Sequence, residues 1–231
     1  MVFECDDKTE LLVVEASINE HNIQFITGYG PQESESINDR EEFFAKLSEE
    51  VKKAELAGCS VFIELDTNSK LGADIIKGDP HDISENGELV LNVIESNNLI
   101  VVNASNLCKG VITRQRVTEI LNEKGVIDFV LVSEDLYNLI NSMIIDEDQI
   151  YSLTRYSMED GVTIKTKSDH NPIFVDMNIP WNIKQSHECK VRCPIPTKLQ
   201  LLRATQSILV ANSVYLVQFW KHVYAPPPAA K

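Results

Sequence analysis

Two periods of apolar residues, one typical of strands and one typical of helices, alternate along the chain. The apolar runs "ELLVVEASI" and "NIQFITGYG", joined by "NEHN", predict an antiparallel hairpin. After them Phe43, Leu47, Val51 and Ala54 recur at helical spacing, which predicts a helix over residues 37–58 that ends at Gly58. The almost wholly apolar "SVFIELD" predicts a short, central and buried strand.

The same two patterns continue through the second half of the chain. After a polar loop over residues 67–86, "ELVLNVIES" predicts a helix and "NLIVVN" a strand. "GVITRQRVTEI" and "VIDFVLVS" flank "LNEKG", which predicts a second hairpin. "EDLYNLIN" predicts a short helix, and "NPIFVDMNI" a final strand. Because strands, helices and hairpins alternate, we expect an α/β or α+β protein with at least one mixed sheet.

Charge divides the chain near residue 180. The net charge is −14, but from Lys184 onwards seven Lys and Arg face one acid, so the preceding 183 residues carry −20. We therefore predict one domain over residues 1–180 and a basic C-terminal extension over residues 181–231, in which "APPPAA" indicates a solvated linker or tail. The acidic body argues against non-specific nucleic-acid binding, unless some of its acids hold a divalent cation that attracts phosphate.

Cysteine usage and hydropathy limit the environment of the chain. Five Cys form no disulfide framework and no apolar signal segment opens the sequence, so we expect a reducing intracellular compartment, nucleus or cytoplasm. The apolar run "ILVANSVYLVQFW" is shorter than the ~20 residues that span a bilayer, so no membrane is expected. His187, Cys189 and Cys193 lack a fourth ligand at zinc-like spacing, which disfavours a zinc site.

Polar residues stand at the ends of the predicted strands, where functional sites of α/β sheets gather. They are Tyr29, Asp66, Asn68, Asp128, Asp169 and His170. Each also has a structural explanation. The pair at 66 and 68 fits an Asx turn, and the triplet at 168–170 fits a capping turn. The carboxylate at 128, inside an apolar run, needs a partner, either loop amides or the imidazole at 170.

Taken together, these residues suit the hydrolysis of a phosphate ester. Carboxylates can hold a divalent ion that neutralises phosphate charge, and a His–Asp pair can orient the transition state or handle a proton. Acyl transfer by a Ser–His–Asp triad fits less well, because Ser133 and Ser168 lack a nucleophile-elbow context.

Four segments, "GYGPQE", "FIELDTNSKLG", "VIDFVLVS" and "KSDHNPI", resemble the motifs of the endonuclease/exonuclease/phosphatase superfamily, and in the same order. "LDTNSKLG" and "TGYGPQE" most resemble the endonucleases of LINE-type retrotransposons. The resemblance covers roughly Leu11 to Ile179. It implies a deoxyribonuclease-I-like fold, a two-sheet β-sandwich flanked by helices, with Mg²⁺ or Mn²⁺ as cofactor and DNA as substrate.

The resemblance also implies roles for the six residues. Tyr29 matches a Tyr that contacts the scissile phosphate. Asp66 matches an Asp that positions or deprotonates the attacking water, or protonates the leaving group. Asn68 matches an Asn that holds the phosphate and this Asp in place.

The remaining three matches lie in the last two motifs. Asp128 corresponds to the acid that orients the catalytic His, and Asp169 to a residue at or near the metal. His170 corresponds to the His that stabilises the pentacoordinate phosphate.

The chain departs from the superfamily pattern upstream of Tyr29. The superfamily has an Asn and a Glu, its main metal ligand, well before the Tyr motif. The 28 residues before Tyr29 contain no matching stretch, and Glu10, Glu15 and Glu20 lie in or beside the first hairpin. We therefore expect much of the first sheet to be missing, in a fragment of a longer reading frame or a decayed copy.

Three functions remain open from the sequence. The first is Mg²⁺-dependent phosphodiester hydrolysis, with nicking of DNA. The second is a non-catalytic remnant or binding module derived from a retroelement. The third is a phosphomonoesterase or phospholipase relative of the same superfamily.

Overall fold

The frame of the chain is a set of β-strands interrupted by three α-helices. The computed structural model describes residues 11–18, 21–117, 122–151, 154–159, 162–179, 189–191, 208–210 and 213–217. Its first half contains β1 (Leu11–Ile18), β2 (His21–Tyr29), α1 (Ile37–Leu56), β3 (Ser60–Asp66), α2 (Glu85–Ser96), β4 (Ile100–Val101), a 3-10 turn (Val102–Ala104) and β5 (Cys108–Lys109).

The second half of the chain is dominated by strands. It contains β6 (Arg114–Val117), β7 (Asn122–Gly125), β8 (Asp128–Val132), α3 (Glu134–Tyr137), β9 (Ile140–Ile145), β10 (Thr154–Glu159), β11 (Val162–Lys167), β12 (Ile173–Met177), β13 (Cys189–Val191), β14 (Ile208–Val210) and β15 (Ser213–Val217).

Two mixed sheets hold most of these strands. The first has the order β13-β1-β2-β3-β8-β4, in which β2 and β3 are parallel. The second has the order β14-β15-β12-β9-β5, in which β5 and β9 are parallel. β6 pairs with β7 and β10 with β11 in separate hairpins. The predicted mixed α/β class is confirmed.

The two faces of the first sheet carry two different cores. Side chains of successive strand residues point to opposite faces. One face packs against α1 and α2 through Ile63, Leu65 and Phe129, together with Phe43 and Leu47 of α1. The other face packs against the second sheet, in a cluster of Ile23, Phe62, Val130, Val132, Met143, Ile173 and Val175. The second cluster joins the sheets into a sandwich, and the candidate site lies at one end of it.

Both long helices begin at serine caps. The Ser36 hydroxyl accepts a hydrogen bond from the Asp39 amide, and α1 runs to Leu56 before Gly58 adopts a φ of 69°. The Ser84 hydroxyl accepts from the Gly87 amide, so α2 begins at Glu85, three residues earlier than predicted. The predicted loop over residues 67–86 is shorter by the same cause.

The second predicted hairpin is wrong in its pairing. β8 does not pair with β6; it lies between β3 and β4, and all five of its residues are buried. The strand that does pair with β6 is β7, which occupies most of the predicted turn "LNEKG". A wholly apolar strand is more stable inside a sheet than in an exposed hairpin, because both of its faces are then covered.

Two other predicted elements are shorter than expected. The helix predicted over "EDLYNLIN" ends at Tyr137, and Ile140 begins β9, whose β-branched residues favour a strand. The strand predicted over "NLIVVN" is reduced to Ile100–Val101, because a 3-10 turn follows at once.

The segment after residue 180 is described at three strands. β13 pairs with β1, and β15 pairs with β12. His187, Cys193 and the "APPPAA" stretch lie outside the described residues, and the boundary at residue 180 stays a prediction. In the described part of the chain, no helix is long and apolar enough to cross a membrane.

Candidate functional site

The ends of three neighbouring strands bring Tyr29, Asp66 and Asp128 together. Tyr29 is the last residue of β2 and pairs in register with Asp66, the last residue of β3. Asp66 pairs in register with Asp128, the first residue of β8. Because in-register neighbours project to the same face of a sheet, the three side chains lie on the face that carries Phe62 and Val130. This face is the one that packs against the second sheet.

His170 is held against Asp128 from the segment that leads into β12. Its Nδ1 lies 3.1 Å from both carboxylate oxygens of Asp128. Its Nε2 lies 3.7 Å from Oδ2 of Asp66 and 4.0 Å from Oδ1 of Asp169. The His170 side chain is 12% exposed, and those of Asp66 and Asp128 are buried. One ring nitrogen is therefore held by Asp128, while the other faces Asp66.

The backbone around this pair is fixed by Thr113, just before β6. Its hydroxyl oxygen accepts hydrogen bonds from the amides of Ile127 at 2.9 Å and Asp128 at 3.1 Å. Its carbonyl accepts from the Asn171 amide at 2.6 Å. Thr113 is fully buried and so connects the segment before Asp128 to the segment after His170.

The end of β3 is locked to the end of β2. The Asn68 amide donates to Oδ1 of Asp66 at 3.1 Å, which is the Asx turn considered from the sequence. The Asn68 side chain donates to the Gly30 carbonyl at 2.7 Å, and the Gly30 amide donates to the Asp66 carbonyl at 2.6 Å. The turn therefore holds Tyr29 and Asp66 in register.

Asp169 is paired with Arg114 of β6. The Arg114 Nε donates to Oδ2 of Asp169 at 2.9 Å, and Arg114 also forms an isolated β-bridge with His170. Burial opposes the charge of Asp169, but the Arg114 hydrogen bond and the nearby imidazole outweigh it and lower the pKa of this carboxyl. Asp169 is thus a charged group at the edge of the site.

Three of the side chains are close enough to share a cation. One ligand atom each from Asp66, Asp128 and His170 lies within 4.8 Å of the other two, a group that could hold a metal ion. Asp169, for which the sequence predicts a position at or near the metal, lies outside this group. Its role at the metal stays a prediction.

The site concentrates negative charge in a buried volume. Desolvation, together with the charge of Asp128, raises the pKa of Asp66 to about 7, although His170 and the Asn68 amide oppose the shift. Desolvation alone would lower the pKa of His170, but the charge and hydrogen bond of Asp128, helped by Asp66 and Asp169, raise it to about 9. The site therefore favours an imidazolium, or another cation, among its carboxylates.

The sequence-based list missed three residues that the structure places at the site. Thr113 and Arg114 lie in "ITRQR", where nothing in the local pattern distinguishes them from other residues of a polar strand. Glu64 had a signal, because it is the one acid inside the otherwise apolar "SVFIEL". It is buried, and desolvation with the charge of Asp128 raises its pKa to about 8.

Solved structures were compared with this chain after the site was defined. A 3'-5' exonuclease, NExo, from Neisseria meningitidis is 17% identical, with a TM-score of 0.51 over 72% of this chain and 64% of its own. A Neisseria NExo variant described as a 3' phosphatase bound to product DNA hairpin is 17% identical, with a TM-score of 0.51 over 73% of this chain and 65% of its own. The endonuclease domain of TRAS1, a telomere-specific non-LTR retrotransposon, is 18% identical, with a TM-score of 0.49 over 74% of this chain and 64% of its own.

No protein-family model matches the chain, and no curated protein matches it in sequence. The chain spans less than two thirds of the length of the NExo and TRAS1 structures that it matches. The likeness to the two NExo structures concerns the fold. Together with the two mixed sheets packed face to face, it shows that this chain has the deoxyribonuclease-I-like fold that the sequence predicts.

Proposed function

We propose that this chain hydrolyses phosphodiester bonds with the help of a divalent cation, Mg²⁺ or Mn²⁺, and that it nicks DNA. The observation that carries the proposal is the arrangement of His170, with one ring nitrogen on Asp128 and the other facing Asp66. A phosphate ester requires positive charge and a proton-transfer group in the same place, and this arrangement offers both.

The residues divide the chemistry between them. His170, kept protonated by Asp128, donates a hydrogen bond to a non-bridging phosphate oxygen and stabilises the charge of the pentacoordinate phosphate. Asp66, whose pKa is raised to about 7, accepts a proton from the attacking water. Tyr29 and Asn68, at the ends of the same two strands, orient the phosphate. Asp128 acts through His170 and is a positioning residue.

The donor set fits a hard divalent cation. Mg²⁺ takes oxygen ligands and usually binds through one or two carboxylates and the substrate phosphate. Asp66 and Asp128 supply carboxylates within the group that could hold an ion, and Asp169 lies 4.0 Å from the same imidazole. When bound, the cation would neutralise phosphate charge and lower the pKa of a bound water.

DNA is the proposed substrate. A NExo structure with this fold is described as bound to a product DNA hairpin, which is a statement about that protein. The sequence resemblance to LINE-type endonucleases points in the same direction. The acidic body of this chain makes a cation at the site the means by which a DNA phosphate approaches it.

Nicking of supercoiled plasmid, with and without Mg²⁺, tests this function. We expect Mg²⁺-dependent nicking by the wild-type chain and a loss of at least ~100-fold in His170→Ala, because general acid–base and charge-stabilising groups contribute 10²–10⁴-fold. His21→Ala is the matched control, because His21 stands at the opposite end of β2 from Tyr29.

Two results would contradict the proposal. Nicking that survives in His170→Ala, or that persists in EDTA, would point to a contaminating nuclease. Absence of nicking by a folded wild-type chain would favour the non-catalytic alternative, in which the fold has outlasted the activity.

A further inference from the structure

Glu64 lies directly beneath the candidate site. It precedes Asp66 by two residues in β3, so its side chain projects from the same face of the sheet, about 6.6–7 Å further along the strand. Its in-register neighbours are Thr27 on β2 and Val130 on β8. Glu64 is thus one step further into the sandwich than the pair formed by Asp66 and Asp128.

The carboxyl group of Glu64 lacks a partner. Glu64 is 9% exposed, and its Oε1 is buried without a hydrogen bond to any described residue. The next residue inward on the same face is Phe62, a member of the apolar cluster between the sheets. An isolated buried carboxylate is unfavourable by several kcal/mol, and an apolar residue here would be more stable.

Electrostatics place Glu64 in the field of the site. After desolvation, the charge of Asp128 is the main cause of the raised pKa of Glu64. No cationic side chain compensates this charge, since Arg114 is hydrogen-bonded to Asp169 at the edge of the site. The carboxylates of Glu64, Asp66 and Asp128 therefore repel one another in a buried space, and this repulsion disappears when a cation binds between them.

A second buried acid of the chain shows that burial alone does not produce this situation. Asp79 is also buried and also has one oxygen without a partner, Oδ2. Its other oxygen, however, accepts from the His81 amide at 3.1 Å and lies 3.2 Å from Nδ1 of the His81 ring. Asp79 is therefore stabilised within its own loop, whereas Glu64 is not.

We propose that Glu64 is a carboxylate ligand of the divalent cation at this site, reaching up from β3 to join Asp66. Three rotatable side-chain bonds allow its carboxylate to turn towards Asp66 when the cation binds. The inference rests on the proposed function for the presence of the cation. It adds a ligand that neither the sequence motifs nor the group formed by Asp66, Asp128 and His170 includes.

Binding of Mn²⁺, measured by the loss of its free electron paramagnetic resonance signal, tests the proposal without an activity assay. Loss of groups that merely support metal ligands costs about 10- to 100-fold in affinity, so Glu64→Gln should weaken Mn²⁺ binding by at least ~10-fold. Asp79→Asn, which alters an equally buried acid away from the site, should leave Mn²⁺ binding unchanged. Glu64→Leu is the second variant, in case the Gln side chain is poorly accommodated.

Thermal unfolding gives an independent readout with opposite signs in the two conditions. In EDTA, Glu64→Gln and Glu64→Leu should raise Tm, because a buried acid without a partner is removed. In saturating Mn²⁺, the wild-type chain should gain more Tm than either variant, because stabilisation by a ligand grows with its affinity.

The outcomes separate this inference from the proposed function. If the wild-type chain binds Mn²⁺ and Glu64→Gln binds it equally well, the Glu64 assignment is overturned and the cation-dependent function stands. If the wild-type chain binds no Mn²⁺ at millimolar concentration, both are overturned. If Glu64→Gln and Glu64→Leu lose binding while Asp79→Asn retains it, the assignment is supported.

Discussion

The imidazole of His170 lies among three carboxylates that differ in their surroundings. Asp128 is buried and bonded to Nδ1, Asp66 is buried and faces Nε2, and Asp169 is half-exposed and paired with Arg114. Each carboxylate favours the protonated ring, and together they outweigh the cost of burying it. The pair with Asp128 thus fixes both the orientation and the charge of His170.

Replacing Asp128 with Asn should lower the pKa of His170. In the wild-type chain the ring pKa is raised from 6.5 to about 9, and the charge of Asp128 is the largest favourable cause. The imidazolium therefore stabilises the fold fully below pH 6.5, and this contribution is lost as the pH rises from 6.5 towards 9. An NMR pH titration of the ring resonances checks the pKa directly.

His170→Gln identifies the resonances that belong to this ring, and His21→Ala leaves them in place. We expect the ring of the Asp128→Asn variant to lose its proton at lower pH than the wild-type ring. An unchanged titration in Asp128→Asn would mean that Asp66 and Asp169 alone hold the proton, and the orienting role of Asp128 would be wrong.

Strand ends, rather than whole strands, determine the site at the level of elements. β2, β3 and β8 are each recognisable from the sequence, and the predicted positions of Tyr29, Asp66 and Asp128 at their ends agree with the structure. Alternation and apolar runs suffice for this, because they report which residues a sheet buries. The sequence-level prediction was therefore accurate where a local pattern reflects burial.

It failed where pairing over long distances decides the outcome. β8 pairs with β3, about 65 residues upstream in the register of Asp66 with its neighbour across the sheet, and not with β6. Local turn residues cannot report this pairing, because they concern only the nearest strands. Thr113 and Arg114 were missed for the same reason, since their partners are the Asp128 amide and the Asp169 carboxylate.

Thr113 offers a test of the connection between elements. In Thr113→Val the side chain keeps its volume but leaves the buried amides of Ile127 and Asp128 without their acceptor. Each unsatisfied buried donor costs about 1–3 kcal/mol, so we expect a loss of roughly 2–5 kcal/mol in the free energy of unfolding. Urea denaturation at constant pH measures it.

Thr113→Ser is the matched comparison, because it removes a methyl group and keeps the hydroxyl. It should cost about 1 kcal/mol, on the order of one buried methyl group. If Thr113→Ser proves as destabilising as Thr113→Val, the methyl contacts and not the two hydrogen bonds connect the segments before β6 and β8.

The charge of the whole molecule opposes its proposed substrate. A chain with a net charge of −14 repels a DNA duplex, and the first 183 residues are more acidic still. Proteins that hold DNA through many phosphate contacts lose affinity steeply as salt increases, whereas an acidic protein with few such contacts has little to lose. Binding at this site therefore depends on a small number of cationic groups near the scissile phosphate.

Arg114 is the guanidinium best placed to contribute. It is one-third exposed, its Nε is held by Asp169 at 2.9 Å, and its charge lowers the pKa of both Asp66 and Asp169. A guanidinium fixed through one nitrogen can present its remaining donors to a phosphate, as arginine commonly does. We expect Arg114→Ala to raise the KM for plasmid nicking more than it lowers kcat.

Salt dependence distinguishes this contact from general electrostatics. Between about 50 and 200 mM KCl, the wild-type nicking rate at low DNA concentration should fall by less than about 10-fold, because few phosphates are neutralised. Arg114→Ala should flatten that dependence further, whereas Lys52→Ala, which removes the same charge from the exposed surface of α1, should not alter it. Equal effects of the two variants would mean that Arg114 acts only through the overall charge of the chain.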